Sequence, residues 1–223
     1  YLVAAQIGDL GDFAPRGQDA RNDSDLRACE DTRVTSKLLS RMHISKPMVS
    51  YREENEKKQA VLLTKELEAG KKIALVSDAG YPGVSDPGFR LVRECRRKKI
   101  RIIPIPGPNA AVTVLAASGL PTHNFLFLGF PPKGKVAFIN LLTKWEDFEG
   151  SLIFYQSRYK MPSTFESVQK AYGDNRYLAV ARELTKLHES IEVGSLFEVW
   201  EKYKVSSQKG EFTLVIAPKG FTL

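Results

Sequence analysis

Apolar runs and helix-period stretches alternate through the first half of the chain, and this alternation constrains the fold more than any other feature. YLVAA (1–5), LRACE (26–30), PMVSY (47–51), KIALVSD (72–78) and RIIPIP (101–106) read as strands. They are apolar without alternation, as strands covered on both faces are. Between them, RVTSKLLSRM (33–42), KKQAVLLTKELEAG (57–70), PGFRLVRECRRK (87–98) and PNAAVTVLAASG (108–119) carry helical spacing. Strand–helix alternation of this kind implies an α/β domain with a mostly parallel sheet. One segment breaks the rhythm. FAPRGQDARNDSD (13–25) should supply the first crossover helix, yet it lacks an apolar stripe and contains Gly17 and Asn22, so a poorly packed helix or a mobile loop is expected.

The second half is organised differently. FLFLGF (125–130), SLIFYQS (151–157), RYLAVARE (176–183), SIEVGS (190–195) and FTLVIAP (212–218) are strand-like. Helices fit near 135–145, 162–172 and 195–203, with Pro162 suited to a first turn and Ser195 to an N-cap. RYLAVARE and SIEVGS follow one another with no helix between them, which predicts antiparallel pairing and a mixed sheet. Gly, Pro and Asn cluster in SGLPTHN (118–124) and mark the boundary. The expected organisation is therefore two α/β domains, residues 1–119 and 120–223.

Composition narrows the function classes. Cys29 and Cys95 form no CxxC pair, so a disulfide framework is not expected and a cytoplasmic location follows. His43, His123 and His188 have no zinc-ligand spacing, and no metal site is expected. No run reaches the length of a membrane span. Tyr1 opens the chain within a strand-like segment, so a few leader residues are expected ahead of it. The formal net charge of +7 suits a polyanionic partner such as RNA, although lysine used for solubility gives the same balance.

Several loops carry chemistry. IGDLGD (7–12) follows a strand but has G-x-x-G spacing, which fits neither a dinucleotide fingerprint nor a P-loop. It is either a tight turn or a loop whose backbone approaches a ligand. SDAGYPGVSDPGF (77–89) lies past a strand's carboxyl end, where open α/β sheets bind ligands. Its prolines stiffen the backbone and its glycines permit close approach. Asp78 is the ligand candidate there, and Asp86 is expected to cap the helix that follows. PIPGPNAA (104–111) is a second loop of the same kind. In CEDTRVTSK (29–37), Thr32 is a candidate cap, and Glu30, Asp31 and Arg33 are either a structural ion-pair group or substrate-facing. ARELTKLHES (181–190) is either a charged turn or a functional cluster holding Arg182, Glu183, Lys186 and His188. RECRRKKIR (93–101) is a solvated helix end or a phosphate-tracking patch without aromatic residues for stacking.

Taken in order, IGDLGD, ACEDTRVTSKLL, SYREENE, ALVSDAGYPGVSDPGFRLV, IPIPGPNA, SGLPTHNFLFLGF, ARELTKLHE and GEFTLVIAPKG resemble the motif series of the tetrapyrrole methylase superfamily, in the form of its rRNA-modifying branch. The resemblance implies two α/β domains with S-adenosylmethionine bound in the cleft between them, commonly as a homodimer. It implies methyl transfer to a cytidine ribose 2′-oxygen of 16S rRNA, as free RNA or in the small ribosomal subunit. Leu10, Asp78, Gly80, Tyr81, Asn109 and Ala110 would contact the cofactor from the first domain and its border. Tyr155, Arg182, Leu184 and Thr213 would contact it from the second. Glu30, Arg33, Glu183 and Lys186 would flank the reacting atoms. The chain departs from the family pattern at Gln6 and Asp9, at Tyr81 where threonine is usual, at Arg52 and Glu54 within YREENE, and in YQSRYK (155–160).

Methyl transfer from a sulfonium is an in-line displacement that needs alignment and exclusion of water. A ribose hydroxyl is a weak nucleophile, so a nearby base helps. Glu30, Asp31, Glu53 and Glu183 are the candidates, while Arg33, Lys37, Arg182 and Lys186 suit flanking phosphates. Two other readings stay open: a methylase of the same fold acting on a tetrapyrrole or other small molecule, and a non-catalytic RNA-binding relative.

Overall fold

In a computed structural model, which describes residues 1–33, 35–36 and 47–223, the chain forms two compact units, Tyr1–Asn109 and Ala110–Leu223. This division falls ahead of the SGLPTHN segment. Strands β1 (Leu2–Val3), β2 (Leu26–Cys29), β3 (Met48–Ser50), β4 (Ile73–Val76) and β5 (Pro104–Ile105) build the first unit's sheet in the order β3-β2-β4-β1-β5. Every pairing is parallel. The reason for the unbroken apolar runs is visible on β4. Ile73 and Leu75 join one core with Ala60 and Leu63 of a helix Glu56–Glu68 and with Leu91 and Cys95 of a helix Phe89–Arg97. Ala74 and Val76 face the other way, into a core with Val3, Ala20 and Ile105.

Residues 13–25 fold as a helix, α1 (Pro15–Asp23), despite their weak pattern. Pro15 opens its first turn, and small residues face the sheet. A Cβ on Gly17 would stand 3.3 Å from Val3 Cγ1. The cost of the missing stripe appears elsewhere. Arg21 and Arg27 are fully buried, with the Arg21 guanidinium 4.2 Å from the centre of the Phe13 ring. None of the Arg21 guanidinium nitrogens has a hydrogen-bond partner among the described residues, and burial with the nearby Arg27 charge lowers its pKa to about 10. The helix expected at 33–42 falls mainly outside the described residues, as do Lys37 and His43. With α1 named, the helices Glu56–Glu68 and Phe89–Arg97 are α2 and α3.

The second unit contains α4 (Ala110–Ala117), β6 (Phe125–Phe127), α5 (Lys135–Lys144), β7 (Ser151–Ser157), α6 (Met161–Tyr172), β8 (Tyr177–Arg182), β9 (Ser190–Ser195), α7 (Leu196–Val205) and β10 (Glu211–Ile216). Its sheet order is β6-β7-β10-β8-β9. The β6–β7 pair is parallel and the rest are antiparallel, which makes the expected mixed sheet. Ser195 caps α7 through a capping box with Glu198. Pro162 sits in the first turn of α6. The main core packs Phe154, Leu214 and Leu178 against Leu142, Phe165 and Leu196. Among the described residues, no helix is long and apolar enough to cross a membrane.

Candidate active site

In the first unit, parallel strands point their carboxyl ends the same way and deliver the loops there. The loop after β4 is tied to the end of β1 by an isolated bridge, with Ala5 N–H donating to the Gly80 carbonyl at 2.8 Å and Gly80 N–H returning to Ala5 at 3.2 Å. Gly80 holds φ +73°, a left-handed conformation that glycine adopts without strain. The loop after β5 packs on the same strand end. A Cβ on Gly107 would stand 2.6 Å from the Ala4 Cβ, so only glycine fits. In IGDLGD the Asp9 carboxylate accepts from Gly11 N–H at 2.7 Å and caps a short 3-10 turn over Leu10–Asp12, leaving Leu10 exposed.

Four carboxyl groups gather at this end. Asp31 N–H donates to Asp78 Oδ1 at 3.4 Å. Burial raises the Asp78 carboxyl, and the Glu30 and Asp31 charges add to it against that amide. Asp86 is pushed up to about 7 by burial; the Ser77 hydroxyl opposes the shift, and a hydrogen bond and charge from Glu30, with the charge of Asp78, reinforce it. Arg33 is exposed and forks onto the Asp31 carboxylate, at 2.7 Å from Nη2 and 3.1 Å from Nε. Asp31 also accepts from Arg33 N–H at 2.8 Å, the local bond expected of Thr32. Tyr81 is half-buried, and burial raises its phenol.

Asp86 is not the helix cap. The N-cap of α3 is Gly88, with no bond from its own loop's side chains. The carboxylate that serves α3 comes from α2: Glu56 Oε1 accepts from Gly88 N–H at 3.0 Å and Arg90 N–H at 3.1 Å. Tyr51 completes the arrangement, its hydroxyl donating to Glu56 and accepting from Leu91 N–H, each at 3.1 Å. The first and last residues of YREENE thus anchor the loop that carries Asp78 and Asp86. Arg52, between them, donates from Nε to the Glu30 carbonyl at 3.0 Å. Sequence reasoning missed Asp86, Glu56 and Tyr51 as site-building residues. The repeated SD pair was the one signal for Asp86, and no local spacing announces a cap supplied by another helix.

In the second unit, Tyr155 on β7 stands opposite Thr213 on β10, which in turn pairs with Ala181 on β8. Tyr155 packs edge-on against Phe127 and Phe130, with ring centres 4.9 and 5.7 Å away. Burial raises its phenol against a hydrogen bond with the Ala111 backbone, one residue past Ala110 at the start of α4. The end of β8 is strained. Glu183 and Thr185 hold φ of 52° and 61°, with Leu184 buried between them. Non-glycine residues persist in that region where surrounding contacts over-determine them. Lys186 Nζ bonds Glu183 Oε1 and Glu211 Oε2, each at 2.9 Å, and Glu183 Oε1 also accepts from Glu211 N–H at 3.0 Å. Burial works to raise the Glu183 carboxyl, but the Lys186 ammonium and this amide outweigh it and hold it below its ordinary value. Arg182 donates to the carbonyls of Lys209 and His188. Glu183, Lys186 and Glu211 therefore form one hydrogen-bonded group, Arg182 ties the same turn to the backbone at His188 and Lys209, and Glu30, Asp78 and Asp86 form the acidic cluster of the first unit.

Residues 1–199 match the family described as Tetrapyrrole (Corrin/Porphyrin) Methylases. A protein of Synechocystis sp. named Ribosomal RNA small subunit methyltransferase I is 43% identical over 217 residues, which cover 97% of this chain and 78% of the relative. Its namesakes in Pasteurella multocida and Escherichia coli O157:H7 are 42% and 40% identical, covering 98% and 97% of this chain and 79% and 76% of their own lengths. Among solved structures, diphthine synthase superposes with a TM-score of 0.72 at 14% identity, over 96% of this chain and 88% of that one. A cobalt precorrin-4 methyltransferase gives 0.70 at 13% identity, over 96% and 92%. At these identities the structures share the fold alone.

Proposed function

The chain belongs to the tetrapyrrole methylase family, and from that premise we propose that it transfers a methyl group from S-adenosylmethionine to the ribose 2′-oxygen of a cytidine in small-subunit rRNA. One observation carries the reading: relatives at 40–43% identity over nearly the whole chain bear an rRNA methyltransferase name. The EDTR, SDAG and ARELTKLHE loops add support, since each occupies a strand's carboxyl end or its strained continuation. In this reading the protein works in the cytoplasm as a homodimer.

The donor set suits the cofactor. S-adenosylmethionine carries a cationic sulfonium and an ammonium, and it supplies a methyl carbon activated for displacement. The first unit offers it the half-buried Asp78 carboxyl, the glycine-lined backbone at Gly80 and Gly107, and the neighbouring Leu10, Tyr81 and Asn109. The family resemblance assigns Ala110, Tyr155, Arg182, Leu184 and Thr213 of the second unit to the same cofactor. The ribose hydroxyl must lose its proton as its oxygen bonds to carbon. Asp86, raised to about 7 beside Glu30, lies where a general base at neutral pH should. Glu183, held low and engaged by Lys186, is a poor base; it and Lys186 are better suited to holding the loop that receives the nucleotide. Arg33, exposed and held on Asp31, is the candidate for a flanking phosphate.

The test uses labelled S-adenosylmethionine and small ribosomal subunits from a strain that lacks the endogenous enzyme, with nuclease digestion afterwards. Label is expected in 2′-O-methylcytidine. No incorporation removes the rRNA reading, and incorporation on a base removes the ribose assignment while leaving rRNA methylation in place.

A further inference from the structure

Outside the cofactor residues, the second unit has a groove of about 370 Å³ at the carboxyl ends of the parallel pair β6 and β7. Its volume lies within the ~300–1,000 Å³ typical of ligand sites. Phe130 and Lys133 come from the loop after β6, Lys135 from the start of α5, Gln156 and Ser157 from the end of β7, and Lys160 from the turn into α6. Gln156 is a satisfied floor, bonded to Thr164 Oγ1 at 2.8 Å and to Ser157 N–H at 2.9 Å. The rim is basic. Lys135 is neutralised by Glu166 at 2.5 Å, but neither Lys133 nor Lys160 has a carboxylate partner among the described residues. Helix α5 has no side-chain N-cap at Gly134, so its amide end adds to the positive field.

Aromatic surface accompanies this charge. Phe130 is 60% exposed, with an edge contact to Tyr155 and its remaining surface open. Tyr159 is 77% exposed, and the Arg158 guanidinium lies 4.5 Å from its ring centre. Unpaired lysines beside an open aromatic ring are what single-stranded nucleic acid recognises: ammonium groups follow phosphates, and a base stacks on the ring. The contact between Phe130 and Tyr155 makes this groove continuous with a residue assigned to the cofactor.

We propose that the groove holds a single-stranded segment of the RNA substrate, with phosphates on Lys133 and Lys160 and one unstacked base on Phe130. The proposal rests on the rRNA methyltransferase reading and extends it to a docking surface. It is tested with the full chain, a fluorescein-labelled single-stranded RNA of about 12 nucleotides, and anisotropy across a range of salt. Lys133→Ala with Lys160→Ala should lower the slope of log K against log salt by about 1.4, the loss of two single-strand phosphate contacts. Phe130→Ala should weaken binding on the order of tenfold, with Phe130→Trp restoring it. Equal S-adenosylmethionine binding by calorimetry establishes that the variants are folded. Unchanged slope and affinity overturn the proposal, as does a loss of dimer in sedimentation with RNA binding intact, which assigns the face to a protein partner. Wild-type protein that methylates subunits while the variants keep their RNA affinity removes the groove and leaves the function. Lysine-dependent RNA binding without methylation removes the function and leaves the groove.

Discussion

Asp86 and Asp78 belong to one stiff loop, yet their surroundings separate them. Asp86 is raised to about 7, well above the ~3.9 of an unfolded aspartate, so folding favours its neutral form. The stability this contributes is fully present below pH ~4 and is lost as pH rises through about 7. Asp86→Asn keeps the shape and removes the titration. Its Tm should match wild type near pH 4 and exceed it at pH 8 by the equivalent of roughly 1–2 kcal/mol, a figure discounted for partial solvation. Methyl transfer at pH 7 should fall by about 10²–10⁴-fold, the usual contribution of a positioned base. Scanning calorimetry at both pH values, beside a turnover assay, checks the pair of effects; full activity in the variant would take Asp86 out of the chemistry. The sequence marks Asp78 as the ligand candidate because it follows the buried strand β4 by two residues, and the structure brings its carboxyl beside Asp31. Asp86 was misread because D-P-G before an apolar stripe has the form of a cap, and nothing local reveals that a carboxylate from another helix already holds those amides.

That carboxylate shows what can and cannot be read at the level of elements. Helices α2 and α3 were legible from their stripes, and β4 from an apolar run that the two cores on its faces explain. The join between α2 and α3 was not legible, because Glu56 and Gly88 are 32 positions apart in the chain. Glu56→Ala leaves the buried Gly88 amide and the Tyr51 hydroxyl without their acceptor. Stability should fall by about 2–3 kcal/mol, as expected when buried donors lose a charged partner. The SDPG turn should loosen with it, so S-adenosylmethionine affinity should drop along with Tm; calorimetric unfolding and titration of the same variant read both. An unchanged Tm would mean that another acceptor serves α3. Helix α1 is the opposite case. No stripe marked it, because close packing of Gly17 and Ala20 on the sheet substitutes for one, and two buried guanidiniums are the residue of that compromise.

Across the chain, charge is distributed with a direction within the first unit. The acidic cluster of Glu30, Asp31, Asp78 and Asp86 stands at the carboxyl ends of the parallel strands. Arg93, Arg96, Arg97, Lys98, Lys99 and Arg101 are all exposed, along the second half of α3 and the turn that leads from it to the amino end of β5. Arg97 and Lys98 are engaged by Glu94 and Glu68, while Arg93, Arg96, Lys99 and Arg101 have no carboxylate partner among the described residues. In the proposed reading a run at that end stands away from the acidic cluster, and it contributes to the +7 charge that draws a polyanion in. Arg96→Gln, Lys99→Gln and Arg101→Gln together remove three positive charges far from the acidic cluster. The association rate with small subunits should fall about threefold to tenfold at low ionic strength and converge on wild type as salt shortens the screening length to a few ångströms. Turnover at saturating subunit should not change. Stopped-flow association at two ionic strengths, beside kcat, separates this steering role from a contact role: a matching loss at high salt or in kcat would place the run against the substrate. Equal rates at both ionic strengths would leave it as a solvated helix end, with the groove at β6 and β7 as the basic surface that meets RNA.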